Sequence, residues 1–165
     1  MKRVIGTGLP PPMIPGLPSP TAPISWATVG NGLLFTVHVP IDEQGTVVEG
    51  EIRVQTAQCL RNLARSVAAA GARMDDVTQV VVFLTDPADV AGMNEVYVQH
   101  FRPPYPSRAT VIVAALVVPG IRVEMLAYAA IGRRRVTASR RARDGGSRRR
   151  SSAAGRGRAA RRASR

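Results

Sequence analysis

The sequence predicts an α+β domain in which two helices cover one face of a mixed β-sheet, with the elements in the order ββαβαββ. Two observations lead to this prediction. Apolar segments rich in β-branched residues alternate with two segments whose apolar residues recur every three or four positions. The 165-residue chain, 45% of it hydrophobic, is also long enough for one domain with a buried core. Such an order of strands and helices favours a sandwich of two layers.

The N-terminal region is predicted to be an arm followed by a β-hairpin. Residues 1–23 are rich in proline and glycine, which favours an extended or mobile arm over a packed element. The ordered domain is expected to begin near Ile24. Residues 24–29 and 33–39, ISWATV and LLFTVHV, are separated by a turn-forming Gly-Asn-Gly sequence and are predicted to be two paired strands.

Two later segments have the period of a helix. In residues 51–70 the apolar positions lie three or four residues apart, and Gly71 is expected to end the helix. The second helix is predicted to start at Asp86 and Pro87, because aspartate caps a helix and proline suits its first turn. Its buried side is predicted to contain Met93, Tyr97 and Phe101, which recur every four residues.

The remaining apolar segments are predicted to be strands. Residues 77–84, VTQVVVFL, are largely apolar and β-branched, as expected of a central strand that is covered on both faces. Residues 109–116 and 121–131 are predicted to be two strands joined by a turn at residues 117–120. One face of the sheet stays rich in Val, Ile, Leu and Ala once the helices cover the other face. We therefore predict a homo-oligomer that buries this face.

The net charge of +12 is concentrated at the C-terminal end. Residues 133–165 hold 14 arginines and one acid, for +13, whereas residues 1–132 hold nine basic and ten acidic residues, for −1. The C-terminal tail lacks large apolar residues and is predicted to be disordered. It is either an electrostatic arm for nucleic acid or an acidic surface, or an extension without a function. The tail is the one region through which nucleic acid could bind.

The cysteine content and the absence of long apolar segments indicate in which cellular compartment the protein is expected. The single cysteine, Cys59, lies in a helical apolar pattern, so it is predicted to be a buried thiol in a reducing compartment. The prolines and glycines near the N-terminus break any signal-peptide helix. No run approaches the ~18 apolar residues that a membrane span requires. The protein is expected to be cytoplasmic and not to bind a membrane.

The sequence lacks the signatures of several common active sites. It has no glycine-rich phosphate loop, and His38 and His100 lie far apart without an accompanying cysteine pair. Ser25 and Ser107 lack the surroundings of a hydrolase nucleophile. We therefore predict no metal site.

An arginine and a glutamate in the last two predicted strands are the candidate reactive groups. If these strands pair antiparallel, Arg108 at the start of one comes near Glu124 in the next. An arginine can hold a carboxylate by two hydrogen bonds, and a glutamate can orient or deprotonate water. These groups suffice to bind a small carboxylic acid and hydrolyse it at the adjacent carbon. The alternative is a partly exposed ion pair worth at most ~1 kcal/mol.

Residues 23–131 resemble the Rid proteins, the reactive intermediate deaminases, which are also called the YjgF or L-PSP endoribonuclease family. The resemblance rests on four segments: GEIRVQTAQCLRNLARSVAAAGARMDDVTQVVVFLTD, MNEVYVQHF, YPSRATV and VEMLAYAAI. It defines a RidA-like domain at residues 24–132 and implies a chorismate-mutase-like fold that assembles as a homotrimer with sites between subunits. It also implies hydrolysis of 2-imino acids to 2-keto acids and ammonia without a cofactor.

The resemblance assigns roles to individual residues of the chain. Arg108 matches the arginine that binds the substrate carboxylate, Glu124 the glutamate that positions water, and Asn94 a pocket asparagine. Thr110 stands where some members have cysteine and is expected to contact substrate through its backbone amide.

Two segments depart from the family pattern. Ile24 replaces a pocket tyrosine, and the segment TVHVP is one residue shorter than usual, with His38 near the position of a pocket glycine. His38 either supplies a donor to the pocket, narrows it, or is an ordinary strand-end histidine.

Three functions are therefore considered. The first is an imine deaminase acting on a small 2-imino acid. The second is a trimeric protein that binds small carboxylates without turnover, as the missing tyrosine hydroxyl suggests. The third is an RNA-directed endoribonuclease.

Overall fold

The computed structural model of the protein describes residues 1–11 and 23–131. Its helices and strands are β1 (Arg3–Val4), β2 (Ala27–Gly30), β3 (Leu33–His38), α1 (Ile52–Ala69), β4 (Val77–Leu84), α2 (Asp89–His100), β5 (Ser107–Ile112) and β6 (Val123–Ala130). The six strands form one sheet in the order β1-β2-β3-β6-β4-β5. All neighbouring strands are antiparallel except β4 and β5. The predicted α+β class with a mixed sheet and two helices is confirmed.

The N-terminal residues differ from the sequence prediction of an unpacked arm. β1 pairs antiparallel with β2, and Ile5 beside it is buried in the core. The indole Nε1 of Trp26 donates a hydrogen bond to the carbonyl oxygen of Pro10 at 2.9 Å. Two paired residues and one buried side chain fix this segment, which is too short to show a period in the sequence. Residues 12–22 and the tail at 133–165, which was predicted to be disordered, lie outside the described residues.

The predicted antiparallel pairing of the last two strands is wrong. β5 pairs parallel with β4, while β6 lies between β3 and β4. The crossover through α2 returns the chain parallel to β4. Because β6 occupies the other side of β4, β5 is the edge strand. The connection after β5 then carries the chain across β4 to a position beside β3. As predicted, β4 is a central strand, with β5 and β6 on its two sides.

The two faces of the sheet differ in what covers them. Alternate residues on one face pack with both helices in a single core: Leu34, Val80, Val82, Leu84, Met125 and Ala127. The other face, which we call the open face, is also apolar. On it Leu33 and Phe35 are each 41% exposed, and Val111 is 42% exposed. The Phe35 ring packs edge-on against Tyr128 with centroids 5.5 Å apart. An apolar surface of this kind is typical of an association interface.

A polar network anchors the beginning of α2. The carboxylate of Asp89, a residue only 4% exposed, accepts hydrogen bonds from Arg122 Nε at 2.9 Å and Nη2 at 2.6 Å. The backbone N–H of Arg122 donates to Gln55 Oε1 of α1 at 2.8 Å. Because hydrogen bonds to charged groups are among the stronger ones in proteins, this network holds α2 in place relative to α1 and β6.

Two further features of α1 agree with the sequence predictions. Cys59 is fully buried, and its Sγ lies 3.1 Å from the carbonyl oxygen of His38. Gly71 follows the helix with a φ of +78°, a conformation that favours glycine at a helix end. Neither helix of the described residues has the length and apolar character needed to cross a bilayer.

Candidate functional site

An open pocket of about 360 Å³ lies between α2 and the segment that leads into β5. Six residues line it: Asn94, Tyr97, Val98, Tyr105, Pro106 and Arg108. Tyr97 and Val98 follow Asn94 by three and four positions, so both lie near Asn94 on one side of α2. Arg108 is the only charged residue among the six. The structure therefore brings two predicted site residues, Arg108 and Asn94, into one pocket.

The side chain of Arg108 lies on the helix side of the sheet. Arg108 is opposite Val80 of β4, whose side chain is buried beneath the helices. The guanidinium carbon is 4.6 Å from the centroid of the Tyr97 ring. Within residues 1–11 and 23–131, Arg108 forms no salt bridge. Its N–H groups are thus available to an incoming anion.

Thr110 belongs to the same side of the structure as Arg108. It follows Arg108 by two positions on β5 and is opposite Val82, a residue fully buried under the helices. Side chains two positions apart on a strand share a face. Thr110 is exposed at the sheet edge, next to the pocket rather than within its lining.

Glu124 lies on the opposite face of the sheet from Arg108. It is opposite Phe83, and both are half-buried residues of the open face. Arg108 and Glu124 are separated by one intervening strand and by three residues along it, or roughly 14 Å between Cα atoms. Burial raises the pKa of the Glu124 carboxyl above its usual value. A single chain therefore does not bring these two predicted partners together.

Ile24 lies towards the same end of the sheet as Glu124. Ala27 and Ala127 both pair with Thr36, and Ile24 and Glu124 each come three residues before one of these alanines. Ile24 is 45% exposed and lines a second pocket of about 310 Å³, formed largely by the N-terminal segment. This pocket is separate from the one that contains Arg108.

His38 lies in the interior of the folded domain. It has no exposed surface, its ring stacks on Trp26 with centroids 5.8 Å apart, and its Nε2 contacts Thr36 Oγ1. Burial lowers the pKa of His38 to about 3, so the ring is neutral. In this chain His38 is a core residue and does not line either pocket.

The sequence reasoning missed four pocket residues: Tyr97, Val98, Tyr105 and Pro106. Tyr97 was predicted to be a core residue, and it is 4% exposed, but it also lines the pocket. Its spacing of three residues from Asn94 is the signal that would have placed both on one side of α2. In the part of the chain that the structure describes, no cluster of three His, Cys, Asp or Glu residues could hold a metal ion.

Comparison with known proteins assigns the family. A sequence model of the family described as Endoribonuclease L-PSP matches residues 17–131, more than half of the chain. The chain belongs to this family, the Rid proteins. A RutC family protein of Pyrococcus horikoshii is 40% identical over 114 residues, which cover 67% of this chain and 90% of the relative. The family resemblance of the sequence is thus confirmed.

Solved structures of Rid proteins have the same fold. RidA from the Antarctic bacterium Psychrobacter sp. PAMC 21119 matches with a TM-score of 0.67 at 30% identity, over 78% of this chain and 99% of that one. E. coli TdcF with bound serine matches with a TM-score of 0.67 at 29% identity, over 79% of this chain and 99% of TdcF. The folded domain is therefore a Rid domain.

Proposed function

We propose that this Rid protein hydrolyses small 2-imino acids to 2-keto acids and ammonia, at a site completed by a second copy of the chain. The observation that carries the proposal is the Arg108 pocket. It presents one guanidinium without a carboxylate partner among the described residues, in a lining that is otherwise uncharged. This arrangement suits a small monoanion, and E. coli TdcF in the same family has been crystallised with serine, which bears a carboxylate.

Hydrolysis of a 2-imino acid needs few catalytic side chains. Arg108 holds the carboxylate, and Asn94 offers an amide for hydrogen bonding in the same pocket. Water adds to the imine carbon, and the electron pair of the C=N bond moves to nitrogen, which takes up a proton. The resulting carbinolamine loses its C–N bond as the C=O bond forms, and ammonia leaves. Because the imine carbon is already electrophilic, fixing the substrate and water supplies much of the catalysis, and no cofactor is required.

Glu124 is proposed to activate the attacking water and to transfer its proton. A carboxyl whose pKa is raised by burial lies closer to neutrality and exchanges a proton more readily at physiological pH. It can accept the proton of the attacking water and return one to the departing nitrogen. Thr110 is proposed to contact the substrate through its backbone amide at the edge of the pocket.

The proposed requirement for a second copy of the chain follows from the position of Glu124. Within one chain Glu124 and Arg108 lie on opposite faces of the sheet, too far apart to act on one small molecule. The apolar open face that contains Glu124 also favours association with another copy. We propose a homotrimer in which Arg108, Asn94 and Thr110 of one chain meet Glu124 and Ile24 of the next. Ile24 would supply an apolar surface where other members have a tyrosine hydroxyl.

The direct test is imine hydrolysis. 2-Iminobutanoate or 2-iminopropanoate is generated enzymatically, and the residual imine is trapped with semicarbazide. Wild type should clear the imine, and Arg108→Ala should be slower by about 10- to 100-fold at low substrate, the value of a hydrogen-bonded charge pair. Equal clearance by the two proteins at the uncatalysed rate would reject the deaminase proposal.

A second candidate is a carboxylate-binding protein without turnover. It is favoured by the observation that the Arg108 pocket is formed by one chain alone, whereas Glu124 is not part of it. Binding of 2-ketobutyrate that depends on Arg108, with no turnover of any imine, would support this candidate over the deaminase.

An RNA-directed activity is not supported by the charge of the folded domain. All nine basic and ten acidic residues of the first 132 positions lie within the described residues. Arg53, Arg65 and Arg122 form salt bridges with carboxylates. The domain therefore lacks the excess of positive charge expected of a surface that binds nucleic acid.

A further inference from the structure

The ring of Tyr97 lies against the guanidinium of Arg108. The guanidinium carbon is 4.6 Å from the ring centroid, within the distance at which a cation is attracted to the negative face of an aromatic ring. Tyr97 lies in the last turns of α2, and Arg108 lies at the start of β5. The contact therefore connects the two elements that form the pocket.

An aromatic ring is a suitable support for an arginine that must bind an anion. A carboxylate would also fix the guanidinium, but it would occupy the N–H groups and repel the carboxylate of a ligand. The face of a ring attracts the cation without accepting its in-plane hydrogen bonds. Burial raises the pKa of Tyr97 to about 12, so the side chain stays neutral at physiological pH.

The position of the Tyr97 ring is itself fixed by packing. The residue is 4% exposed, and its ring lies 4.5 Å from that of Phe101 between centroids. The hydroxyl is buried and has no hydrogen-bond partner among the described residues. Packing of the ring, and not a bond from the hydroxyl, therefore determines where the guanidinium rests.

We propose that Tyr97 is a positioning residue, whose ring face holds the guanidinium of Arg108 in the orientation that binds the carboxylate of the substrate. This inference rests on the proposed function, in which Arg108 binds that carboxylate. Tyr97 acts through Arg108 and does not itself need to touch the substrate. Its effect should fall on ligand affinity and KM, with little change in kcat.

The test varies the charge distribution of the ring at nearly constant shape. Phenylalanine and phenylalanines with increasing ring fluorination are placed at position 97 of the full chain, and 2-ketobutyrate binding is measured by calorimetry. Tyr97→Phe is the reference, because it removes a hydroxyl that has no partner among the described residues. Affinity should fall stepwise with fluorination, to about three- to tenfold weaker for the fully fluorinated ring.

Phe101 provides the matched control. Its ring packs on Tyr97 but is not the ring next to Arg108, so the same fluorination at position 101 should leave affinity within about twofold of wild type. A flat series at position 97, or equal trends at positions 97 and 101, would overturn the positioning role. Arg108→Ala separates the two proposals. If Arg108→Ala loses 2-ketobutyrate binding while affinity does not change across the fluorinated series, only the positioning role of Tyr97 is refuted. If Arg108→Ala binds 2-ketobutyrate like wild type, carboxylate binding by Arg108 is refuted as well.

Discussion

The separation of Arg108 and Glu124 predicts that two impaired variants, one at each residue, will restore each other's activity when their chains are mixed. In one chain the two side chains lie on opposite faces of the sheet, with roughly 14 Å between their Cα atoms. A 2-imino acid is only a few ångströms long, so both residues can reach it only if they come from different chains. Arg108→Ala and Glu124→Ala then remove different halves of a shared site.

The activity expected of the mixture follows from the fraction of sites in which both residues are intact. Glu124→Ala alone should reduce the rate by about 10²- to 10⁴-fold, the usual value of a general acid–base group. When equal amounts of the two variants assemble at random, a site has an intact Arg108 in about half of cases and an intact Glu124 in about half. About one quarter of the sites are then complete in any closed ring, whatever the number of copies. The mixture should therefore reach about a quarter of wild-type activity.

The assay is semicarbazide trapping after the two variants are unfolded together, refolded and compared with wild type treated in the same way. Arg108→Ala mixed with the double variant Arg108→Ala/Glu124→Ala is the control, because no site in that mixture regains Arg108. Native mass spectrometry of chains with tags of different mass shows that they have mixed. Mixed assemblies with no more activity than their parents would refute a site shared between chains.

Two further predictions concern the free energy of unfolding. The folded pKa of His38 is about 3, below the 6.5 of an exposed histidine, so the unfolded chain takes up the proton first and stability falls as the pH drops below 6.5. Between pH 7 and pH 5, wild type should lose about 2 kcal/mol more than His38→Gln in urea titrations, and equal losses would contradict burial of a neutral ring. Asp89→Asn should lower the free energy of unfolding by about 1–3 kcal/mol, because it weakens the two hydrogen bonds from Arg122. Arg53→Gln, at an exposed ion pair, should change it by less than about 1 kcal/mol, and equal effects of the two substitutions would refute the anchoring role of Asp89.

Local periodicity predicted the elements of this domain well because each element depends on residues close in sequence. The helix predicted at residues 51–70 is α1 at Ile52–Ala69, and the strand predicted at residues 77–84 has those bounds in the structure. The order of strands depends on distant residues and was not predictable in the same way. The turn-like residues 117–120 suggested a hairpin, but β6 lies next to β3 and leaves β5 at the edge.

The environment of β3 shows why the role of His38 could not be read from the pattern. Both faces of this strand contain large apolar residues: Leu34 faces the helices, and Phe35 faces away from them. The alternation of residue types along β3 therefore does not show which of its two faces is buried. In the structure Thr36 and His38 lie on the buried face together with Leu34. Arg108 and Asn94, which the sequence analysis placed in one predicted site, do line one pocket. Their spatial relation to Glu124 depended on the strand order.

The positions of Glu124 and Arg108 connect association of the chain with its proposed activity. Glu124 lies on the open face beside Phe83, so any copy that covers this apolar face also lies next to Glu124. Arg108 lies on the edge strand β5, whose outer edge is unpaired among the described strands and can approach a neighbouring copy. Burial of the open face and completion of the site would then be one event, because the contact that removes apolar surface from water brings the two groups together. On this argument a substitution that weakens association, even one far from Arg108, should abolish turnover while leaving carboxylate binding by the Arg108 pocket largely intact.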